Sequence, residues 1–364
     1  MGHQRTKMFR YEQVFYELKE KISNNEYAEG AYLPSEHEIG ILYDVDRSTV
    51  RRALQMLVEQ GLVEKQAGKG SRVAAKENAK SLLESKVDNK QIAFLLPKGT
   101  HNNDRITQPF YSEIFYTIEA DCQKKGFSTI YSTLNTKEDF QQFLRSSECD
   151  GIIFVSNIAE DILDMAIERK IPSVLVNSTY ERMVSVISDG FNGTYAACKH
   201  LIEYGHRNIG VIKGVEAYCT TKDRLNGCIV ALHEAGLELK PEYILQGDWD
   251  YESGYEAVKN MLNSGTDYPT ALIAFNDHLA MGAMYAIVEA GLSVPADISV
   301  VGFDNMKEAG YSIPGLTTVH SQAQIVSHVA AQALFRQLEG DVLYPTKIIT
   351  PVHLVKRSSV SCRK

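Results

Sequence analysis

The first candidate for chemistry is the stretch DRSTVRRAL at residues 46–54, which holds three arginines within six positions. The chain of 364 residues has a formal net charge of −8, so this cluster runs against the charge of its surroundings. Residues 47–73 contain six basic and two acidic residues, whereas residues 92–364 contain 23 basic and 32 acidic residues. A local basic patch on an acidic protein is typical of a surface that contacts phosphate groups. The alternative is that the arginines lie on a solvent-exposed helix face and contact no partner.

A helix is expected to carry these arginines, because apolar residues recur at helical spacing from Asp46 to Gly61. Five residues form this apolar stripe: Val50, Ala53, Leu54, Leu57 and Val58. Asp46 is suited to cap the first turn, since its carboxylate can accept free backbone N–H groups, and Gly61 is suited to end the helix. The spacing then directs Arg47, Ser48 and Thr49 outward at the start of the helix.

Two short apolar alternations, LVEK and SRVA, follow this helix and are joined by QAGKG. Such a pattern predicts a two-stranded hairpin, with Lys69 between two glycines at its tip. The helix and the hairpin together are typical of a recognition helix with a wing.

Residues 33–73 resemble the winged helix-turn-helix of GntR-type regulators almost throughout. The match runs in order through the Leu-Pro-Ser-Glu entry, the Val-x-Arg-x-Thr-Val-Arg turn, the Gly-Leu-Val exit and the Gly-Lys-Gly wing. The resemblance implies double-stranded operator DNA as a partner. The contacts that it implies are Arg47, Ser48, Thr49 and Arg51 on the helix, and Ala67 and Gly68 on the wing.

Further candidates for the same DNA-binding surface are Arg52, Lys69 and His37. His37 stands where an arginine is common in these regulators, and Asp46 stands where a hydroxyl residue is common. Because Asp46 removes a phosphate donor and adds a negative charge, base preference or salt dependence is expected to differ from that of relatives.

Length and composition indicate a globular protein of two or three domains, with 44% hydrophobic and 23% charged residues. The six cysteines are widely spaced without a C-x-x-C pair, which favours buried thiols in a reducing compartment over disulfides or zinc. No apolar run approaches the ~18 residues of a membrane span, and no signal-peptide pattern is present. The sequence therefore predicts a cytoplasmic protein without a membrane partner, metal or cofactor.

Sequence texture divides the chain into a winged helix-turn-helix domain at residues 8–75, a polar linker at 76–91 and a larger domain at 92–358. In the larger domain, short apolar runs such as IAFLL and GIIFV alternate with amphipathic stretches, and a second such series begins at NIGVI. This alternation predicts an α/β fold in which parallel sheets are flanked by helices. Two series imply two lobes that face each other across a ligand-binding cleft.

The larger domain resembles the effector domain of LacI/GalR-type repressors, which is related to periplasmic sugar-binding proteins. The stretches that carry this resemblance include PFYSEI at 109–114, DRLNG at 223–227, FNDHLAMGAM at 275–284 and SVVGFDN at 299–305. A GntR-type head joined to such a domain is similar to the arabinose repressors of bacilli.

This resemblance implies a cleft that binds a small sugar. The contacts that it implies are Phe110, Tyr111, Asp189, Tyr218, Thr220, Arg224, Trp249, Asn276 and Asp277. Aromatic faces suit the apolar surface of a sugar ring, and charged planar groups suit paired hydroxyls. Each residue also has a structural interpretation, since Asp277 could cap the helix after the strand TALIAF and Trp249 could be a core residue.

The sequence as a whole predicts a transcriptional repressor, working as a homodimer, that a small sugar induces. An aldopentose such as L-arabinose is the first candidate, although some motifs look equally like those of hexose and galactoside repressors. Two alternatives remain: a regulator that binds a corepressor protein, and a sugar-processing enzyme with a regulatory head. Catalytic motifs such as G-x-S-x-G and H-E-x-x-H are absent, so no catalytic residue is predicted.

Overall fold

The computed structural model describes residues 10–24, 26–59, 62–66, 70–74, 90–99, 105–265 and 267–363. These residues form two compact units, which divide between Asn89 and Lys90. The predicted linker at residues 76–91 lies outside the described residues, except for Lys90 and Gln91. Gln91 already belongs to the first strand of the larger unit.

The smaller unit contains helices α1 (Arg10–Ser23), α2 (Glu36–Tyr43) and α3 (Arg47–Glu59), and an antiparallel pair of strands, β1 (Val63–Gln66) and β2 (Gly70–Val73). The predicted helix and hairpin are therefore confirmed, although Gly61 and the hairpin tip lie outside the described residues. Helix α3 packs through the predicted stripe, because Val50, Leu54 and Leu57 are buried in one core. This packing leaves the opposite face of α3 exposed.

The larger unit begins with a lobe built on a parallel sheet whose strand order is β13-β7-β6-β5-β3-β4. Its strands are β3 (Gln91–Pro97), β4 (Ser128–Leu134), β5 (Gly151–Val155), β6 (Ser173–Val176), β7 (Val184–Ser188) and β13 (Lys347–Thr350). Its helices are α4 (Pro109–Lys124), α5 (Lys137–Ser146), α6 (Glu160–Glu168) and α12 (Ala323–Leu338). Apolar cores lie on both faces of this sheet, as buried parallel strands require.

The second lobe is built on a sheet of order β14-β12-β11-β10-β8-β9, parallel except for β14. Its strands are β8 (Ile209–Lys213), β9 (Ile244–Gln246), β10 (Ala271–Ala274), β11 (Ser299–Asp304), β12 (Thr317–His320) and β14 (His353–Val355). Its helices are α7 (Gly190–Glu203), α8 (Cys219–Glu234), α9 (Tyr251–Asn263), α10 (Asp277–Glu289) and α11 (Lys307–Tyr311). The prediction of an α/β fold with two lobes is confirmed.

The chain crosses between the two sheets three times, after Ser188, after His320 and after Thr350. Each crossing is short, and the crossings lie side by side, since the Asp189 N–H donates to the Thr350 carbonyl and the Gln322 side-chain amide donates to the Pro351 carbonyl. The strands of both sheets end near these crossings or beside the space between the lobes. Polar residues that follow the strands can therefore meet in that space.

None of the helices in the described ranges combines the length and the apolar character that crossing a membrane requires.

Candidate functional site

The exposed surface of the smaller unit holds two of the predicted arginines side by side. Arg47 Nε lies 2.8 Å from Glu36 Oε2, and Arg51 Nε lies 3.0 Å from the same oxygen. Both arginine side chains are otherwise exposed, with relative accessibilities of 72% and 59%. The hydrogen bond from Arg47 lowers the pKa of Glu36. One carboxylate thus orients two guanidinium groups while their outer N–H groups face away from it.

Glu36 was missed by sequence reasoning, although it is the acid of the Leu-Pro-Ser-Glu entry. It starts α2 directly after Ser35, whose side chain accepts a hydrogen bond from the Glu38 N–H in a capping box. This cap fixes where the helix begins and therefore where Glu36 points. The available signal was an acid just after a helix cap, in the helix that precedes the arginine-rich helix.

Asp46 caps α3 as predicted, because its carboxylate accepts the N–H groups of Ser48 at 2.8 Å and Thr49 at 2.9 Å. It also accepts both hydroxyl groups, at 2.5 Å from Ser48 and 2.8 Å from Thr49. These bonds, the Ser48 hydroxyl first, lower the pKa of Asp46 below its ordinary value. Ser48 and Thr49 are at the surface, but their hydroxyl protons point to the cap, so a phosphate would have to compete for them.

The other predicted DNA-binding residues differ from one another in their surroundings. The Arg52 guanidinium lies 4.0 Å from the ring centroid of Tyr11, so it packs against α1. His37 is exposed on α2. Ala67, Gly68 and Lys69 of the wing lie outside the described residues.

A cavity lies between the two lobes of the larger unit, where the lining residues surround about 530 Å³ of space that includes open solvent. The first lobe contributes Gln108, Phe110, Tyr111, Ser156, Asn157 and Asn177. The second lobe contributes Tyr218, Thr220, Arg224, Trp249, Asn276, His278, Asp304 and Met306. Seven of the nine predicted effector contacts therefore share this cavity, and the two that do not are Asp189 and Asp277.

Asp189 does not line the cavity, because it caps α7 instead. Its carboxylate accepts the N–H of Asn192 at 3.0 Å and the side-chain amide of the same residue at 2.6 Å. Both oxygens are thus engaged at the helix start, beside the first crossing between the lobes. Asp189 therefore has a capping role in this structure, and its predicted ligand contact stays a prediction.

Asp277 is completely buried behind the cavity wall. Its Oδ2 accepts the N–H of Met306 at 2.7 Å, and its Oδ1 accepts the hydroxyl of Thr318 at 2.5 Å. It does not cap α10 either, since Asn276 Oδ1 accepts the N–H of Leu279 at 2.8 Å. Neither predicted role of Asp277, as direct ligand contact or as helix cap, agrees with this placement.

Asp304 takes the place in the cavity that was predicted for Asp277. Its Oδ1 lies 3.8 Å from Arg224 Nη2, and both side chains are almost fully buried. Burial raises the pKa of Asp304 to about 7, although Arg224 acts in the opposite direction. Arg224 also donates to the carbonyl of Phe275 and lies 3.7 Å over the Phe303 ring. Arg224 and Asp304 together form the buried floor of the cavity, and their charges cancel when Asp304 is ionised.

Several polar atoms of this cavity have no hydrogen-bond partner. Among the buried side-chain nitrogen and oxygen atoms of the described residues, the unpaired ones include Arg224 Nε, Trp249 Nε1 and Asp304 Oδ1. Buried polar groups are nearly always paired in folded proteins, because an unpaired one loses its hydration without compensation. The three atoms belong to residues that line one cavity, where a ligand or a water molecule can supply the missing partners.

Backbone conformation directs several of these side chains into the cavity. Ser156, Asn177, Trp249 and Asp304 have positive φ angles of 63°, 58°, 66° and 112°. Ser156 and Asn177 directly follow a β-strand, Asp304 ends one, and Trp249 comes three residues after one. Residues other than glycine adopt positive φ angles at a cost in free energy. The strain therefore concentrates where the strand ends surround the cavity.

The walls of the cavity are organised by hydrogen bonds and ring stacking. In the first lobe, the Tyr111 hydroxyl lies 3.4 Å from Arg105 Nη1 and 3.1 Å from Ser156 Oγ, and Asn177 Nδ2 donates to Ser156 Oγ at 3.2 Å. In the second lobe, the rings of Tyr218 and Trp249 stack with their centroids 6.4 Å apart and their planes 13° apart. Hydrogen bonds thus order the polar groups of the first-lobe wall, and a pair of stacked rings forms part of the second-lobe wall.

Comparison with known proteins separates the two units. Residues 10–73 match the bacterial regulatory proteins of the gntR family, and residues 198–360 match the periplasmic binding protein-like domain. The HTH-type transcriptional repressor PurR of Proteus mirabilis is 36% identical over 262 residues, which cover 70% of this chain and 76% of that protein. The chain belongs to the PurR/LacI family. It is a DNA-binding transcriptional repressor of the LacI/PurR type with a GntR-type head.

Solved structures of LacI-type regulators share the fold of this repressor. A LacI transcriptional regulator from Bacillus cereus is 28% identical, with a TM-score of 0.70, and covers 76% of this chain and 100% of its own. A LacI family regulator from Enterococcus faecium, solved with bound ribose, is 26% identical with a TM-score of 0.67 at the same coverage. The predicted pairing of a GntR-type head with a LacI-type body is confirmed, and the narrower similarity to arabinose repressors stays a prediction.

Proposed function

We propose that this repressor binds a small neutral sugar in the cavity between its lobes, and that the sugar releases it from operator DNA. L-arabinose is the first candidate. The observation that carries the proposal is the set of unpaired buried atoms: Arg224 Nε and Trp249 Nε1 can donate, and Asp304 Oδ1 can accept. A sugar hydroxyl both donates and accepts, so one polyhydroxylated ring can satisfy all three atoms.

The charge and shape of the cavity support a neutral ring over a charged ligand. Arg224 and an ionised Asp304 offset each other, so an anion or a cation would leave one charge uncompensated in a buried place. The stacked rings of Tyr218 and Trp249 offer an apolar face of the kind that packs against the C–H surface of a sugar. The bound ribose of the Enterococcus faecium regulator gives further support for a pentose.

On the DNA side, we propose that Arg47 and Arg51 reach base edges in the major groove while Glu36 keeps them parallel. Two guanidinium groups held by one carboxylate suit neighbouring acceptors on a guanine or on successive base pairs. We propose that Lys69 and the rest of the wing contact the phosphate backbone of the DNA. Because the operator is DNA inside the cell, we also propose that the repressor works in the cytoplasm.

We propose a homodimer, because specific operators are usually read as two half-sites by a two-fold symmetric protein. The second lobe carries exposed apolar residues that suit such an interface. They are Tyr251, Tyr285, Val288, Tyr311 and Ile313, with 41%, 53%, 58%, 82% and 95% of their surface exposed. Tyr251, Tyr285, Val288 and Ile313 line one surface pocket, and an apolar cluster of this kind is unusual on a monomeric surface.

The test combines thermal stability with operator binding in the presence of L-arabinose, D-ribose or D-galactose. L-arabinose should raise the melting temperature by mass action and weaken operator binding. Asp304→Asn should reduce the thermal response to the sugar without abolishing it, whereas Asp139→Asn, at a distant helix cap in the first lobe, should leave it unchanged. If no monosaccharide changes either quantity, the corepressor-protein alternative becomes the better proposal. Formation of a sugar product, followed by NMR, would instead favour an enzyme.

A further inference from the structure

Asp277 lies behind the cavity wall, and we infer that it is a positioning residue that holds Asp304 in the orientation needed to meet the ligand. The inference rests on the proposed function, since Asp304 is proposed to accept a sugar hydroxyl. Asp277 itself is not among the residues that line the cavity, its side chain is completely buried, and both of its oxygens already accept hydrogen bonds.

The carboxyl group of Asp277 fixes the turn that follows Asp304. Its Oδ2 accepts the N–H of Met306 at 2.7 Å, and its Oδ1 accepts the hydroxyl of Thr318 at 2.5 Å. Thr318 Oγ1 in turn accepts the N–H of Asn305 at 3.3 Å. The two backbone amides immediately after Asp304 are therefore held, one directly and one through Thr318.

This turn needs to be held, because its backbone is unusual. Asp304 and Asn305 are consecutive residues with φ angles of 112° and 60°. Residues with a side chain rarely adopt such angles, and they persist where surrounding contacts determine the conformation. Without the bonds from Asp277 and Thr318, the turn is expected to relax towards negative φ, which would rotate the Asp304 side chain away from Arg224.

The neighbouring strand makes room for this arrangement at Gly302. A Cβ atom at this position would come within 2.2 Å of Asp277 Oδ1. The carboxyl group can therefore reach Thr318 only because residue 302 has no side chain. The segments FNDHLAMG and SVVGFDN, which are separate in the sequence, thus pack against each other. The conformations of Asp277, Gly302 and Asp304 depend on one another.

The loop has a second anchor that leaves the role of Asp277 distinct. Arg357 Nη2 donates to the side-chain oxygen of Asn305 at 2.7 Å, and Arg357 Nη1 donates to the carbonyl of Leu316 at 2.7 Å. These bonds hold the side chain of Asn305 but not the backbone amides after Asp304. Loss of Asp277 is therefore expected to loosen the turn without detaching the loop.

The experiment uses the full chain with Asp277→Ala, Thr318→Val and the conservative variant Thr318→Ser. L-arabinose binding is measured by calorimetry, and amide hydrogen exchange is measured at Asn305 and Met306. We expect Asp277→Ala to weaken sugar binding ~10-fold or more and to speed exchange of the Met306 amide, because a buried donor loses its acceptor. Thr318→Val should weaken binding less, and Thr318→Ser should restore it, since the hydroxyl is retained.

The matched control is Ser359→Ala in the same lobe. Ser359 Oγ is buried, accepts the N–H of Thr317 at 2.8 Å and donates to the carbonyl of Val300 at 2.6 Å, so its loss disturbs the same sheet without touching the turn. Sugar affinity should be unchanged in this variant. Asp277→Ala should also cost little when it is added to Asp304→Asn, because a residue that acts only through Asp304 has nothing left to position.

Equal losses of affinity in the presence and absence of the Asp304 carboxyl group would overturn the inference in favour of a general structural role. Unchanged exchange at Asn305 and Met306 in both Asp277→Ala and Thr318→Val would overturn it as well. The exchange measurement needs no sugar and includes Thr318→Val in case Asp277→Ala does not fold. It therefore decides the inference even if the wild-type repressor binds none of the sugars and the proposed function fails.

Discussion

The buried position of Asp304 predicts that sugar binding depends on pH near neutrality. Burial raises the pKa of Asp304 to about 7, with Arg224 opposing the shift and Glu113 adding to it. A sugar hydroxyl that donates to Oδ1 stabilises the ionised form, so the pKa of Asp304 should fall when the sugar binds. Binding then releases a proton, and the affinity for L-arabinose should rise with pH.

The expected size follows from the fraction of Asp304 that is ionised before binding. With a pKa of about 7, about half of the molecules are ionised at pH 7 and about one in ten at pH 6. If only the ionised form binds the sugar, the dissociation constant should be about tenfold larger at pH 6 than at pH 8, and it should level off above pH 8.

The same shift has a consequence for the stability of the sugar-free protein. The folded state binds a proton at Asp304 up to about pH 7, whereas the unfolded chain releases it near the ordinary value of 3.8. The contribution of this group to the free energy of unfolding is therefore largest at low pH and is lost as the pH rises towards 7. Sugar binding should partly restore the stability above that pH.

The assay is titration calorimetry between pH 6 and 8 in two buffers with different ionisation enthalpies. The difference in the observed enthalpy between the buffers gives the number of protons released, which should approach one at pH 6 and zero at pH 8. Asp304→Asn supplies the control, since any remaining pH dependence belongs to other groups. A dissociation constant that is flat across this range, with no buffer dependence, would refute the reasoning.

Three further predictions concern DNA binding, the fold of the head and assembly. Arg47→Ala or Arg51→Ala should weaken specific operator binding by roughly 1–3 kcal/mol in fluorescence anisotropy, and unchanged affinity in both would remove them from base recognition. Arg52→Ala should instead lower the melting temperature of the head by removing a cation–π contact of roughly 0.5–1 kcal/mol, with little change in the salt dependence of operator binding. Tyr285→Glu combined with Ile313→Glu should give a monomer in sedimentation at micromolar concentration and weaken operator binding, whereas a wild-type monomer would contradict the dimer.

The recognition helix and the two-lobed fold could be predicted because their signals are local. Val50, Leu54 and Leu57 recur at helical spacing, and the stripe that they form is the face that packs into the core of the head. In the larger unit, each buried strand is a short apolar run, so the alternation of strands and helices is visible without knowledge of their contacts. These features depend on neighbours within a few residues along the chain.

The choice between Asp277 and Asp304 could not be made from local pattern. Both carboxyl groups follow a buried strand, and both strands end at the same edge of one sheet. What separates them is a contact across strands: Gly302 leaves room for Asp277 to turn inward, while a positive φ turns Asp304 towards the cavity. Neither circumstance can be seen in the residues around Asp277.

Other cavity residues were available to a more general rule that was not applied. Ser156 and Asn177 directly follow the apolar runs GIIFV and PSVLV, and ligands of parallel α/β sheets bind at the carboxyl ends of strands. A search for polar residues just after every buried strand would have found both, together with Asp304. Glu36 would not have been found in this way, because its role depends on the distance between two helices of the head.

The three crossings between the lobes also bear on how this protein is synthesised. The first lobe takes its last helix, Ala323–Leu338, and its edge strand, Lys347–Thr350, from the far end of the chain. Leu334 and Phe335 of that helix belong to the same buried core as Ile92 and Phe94. A nascent chain can therefore complete the small DNA-binding head early, but its first lobe keeps apolar strands uncovered until almost the whole chain has left the ribosome. We expect chaperones to bind this lobe during translation. Chains that stop before residue 323 should be degraded, and they should not accumulate as repressors that cannot respond to a sugar.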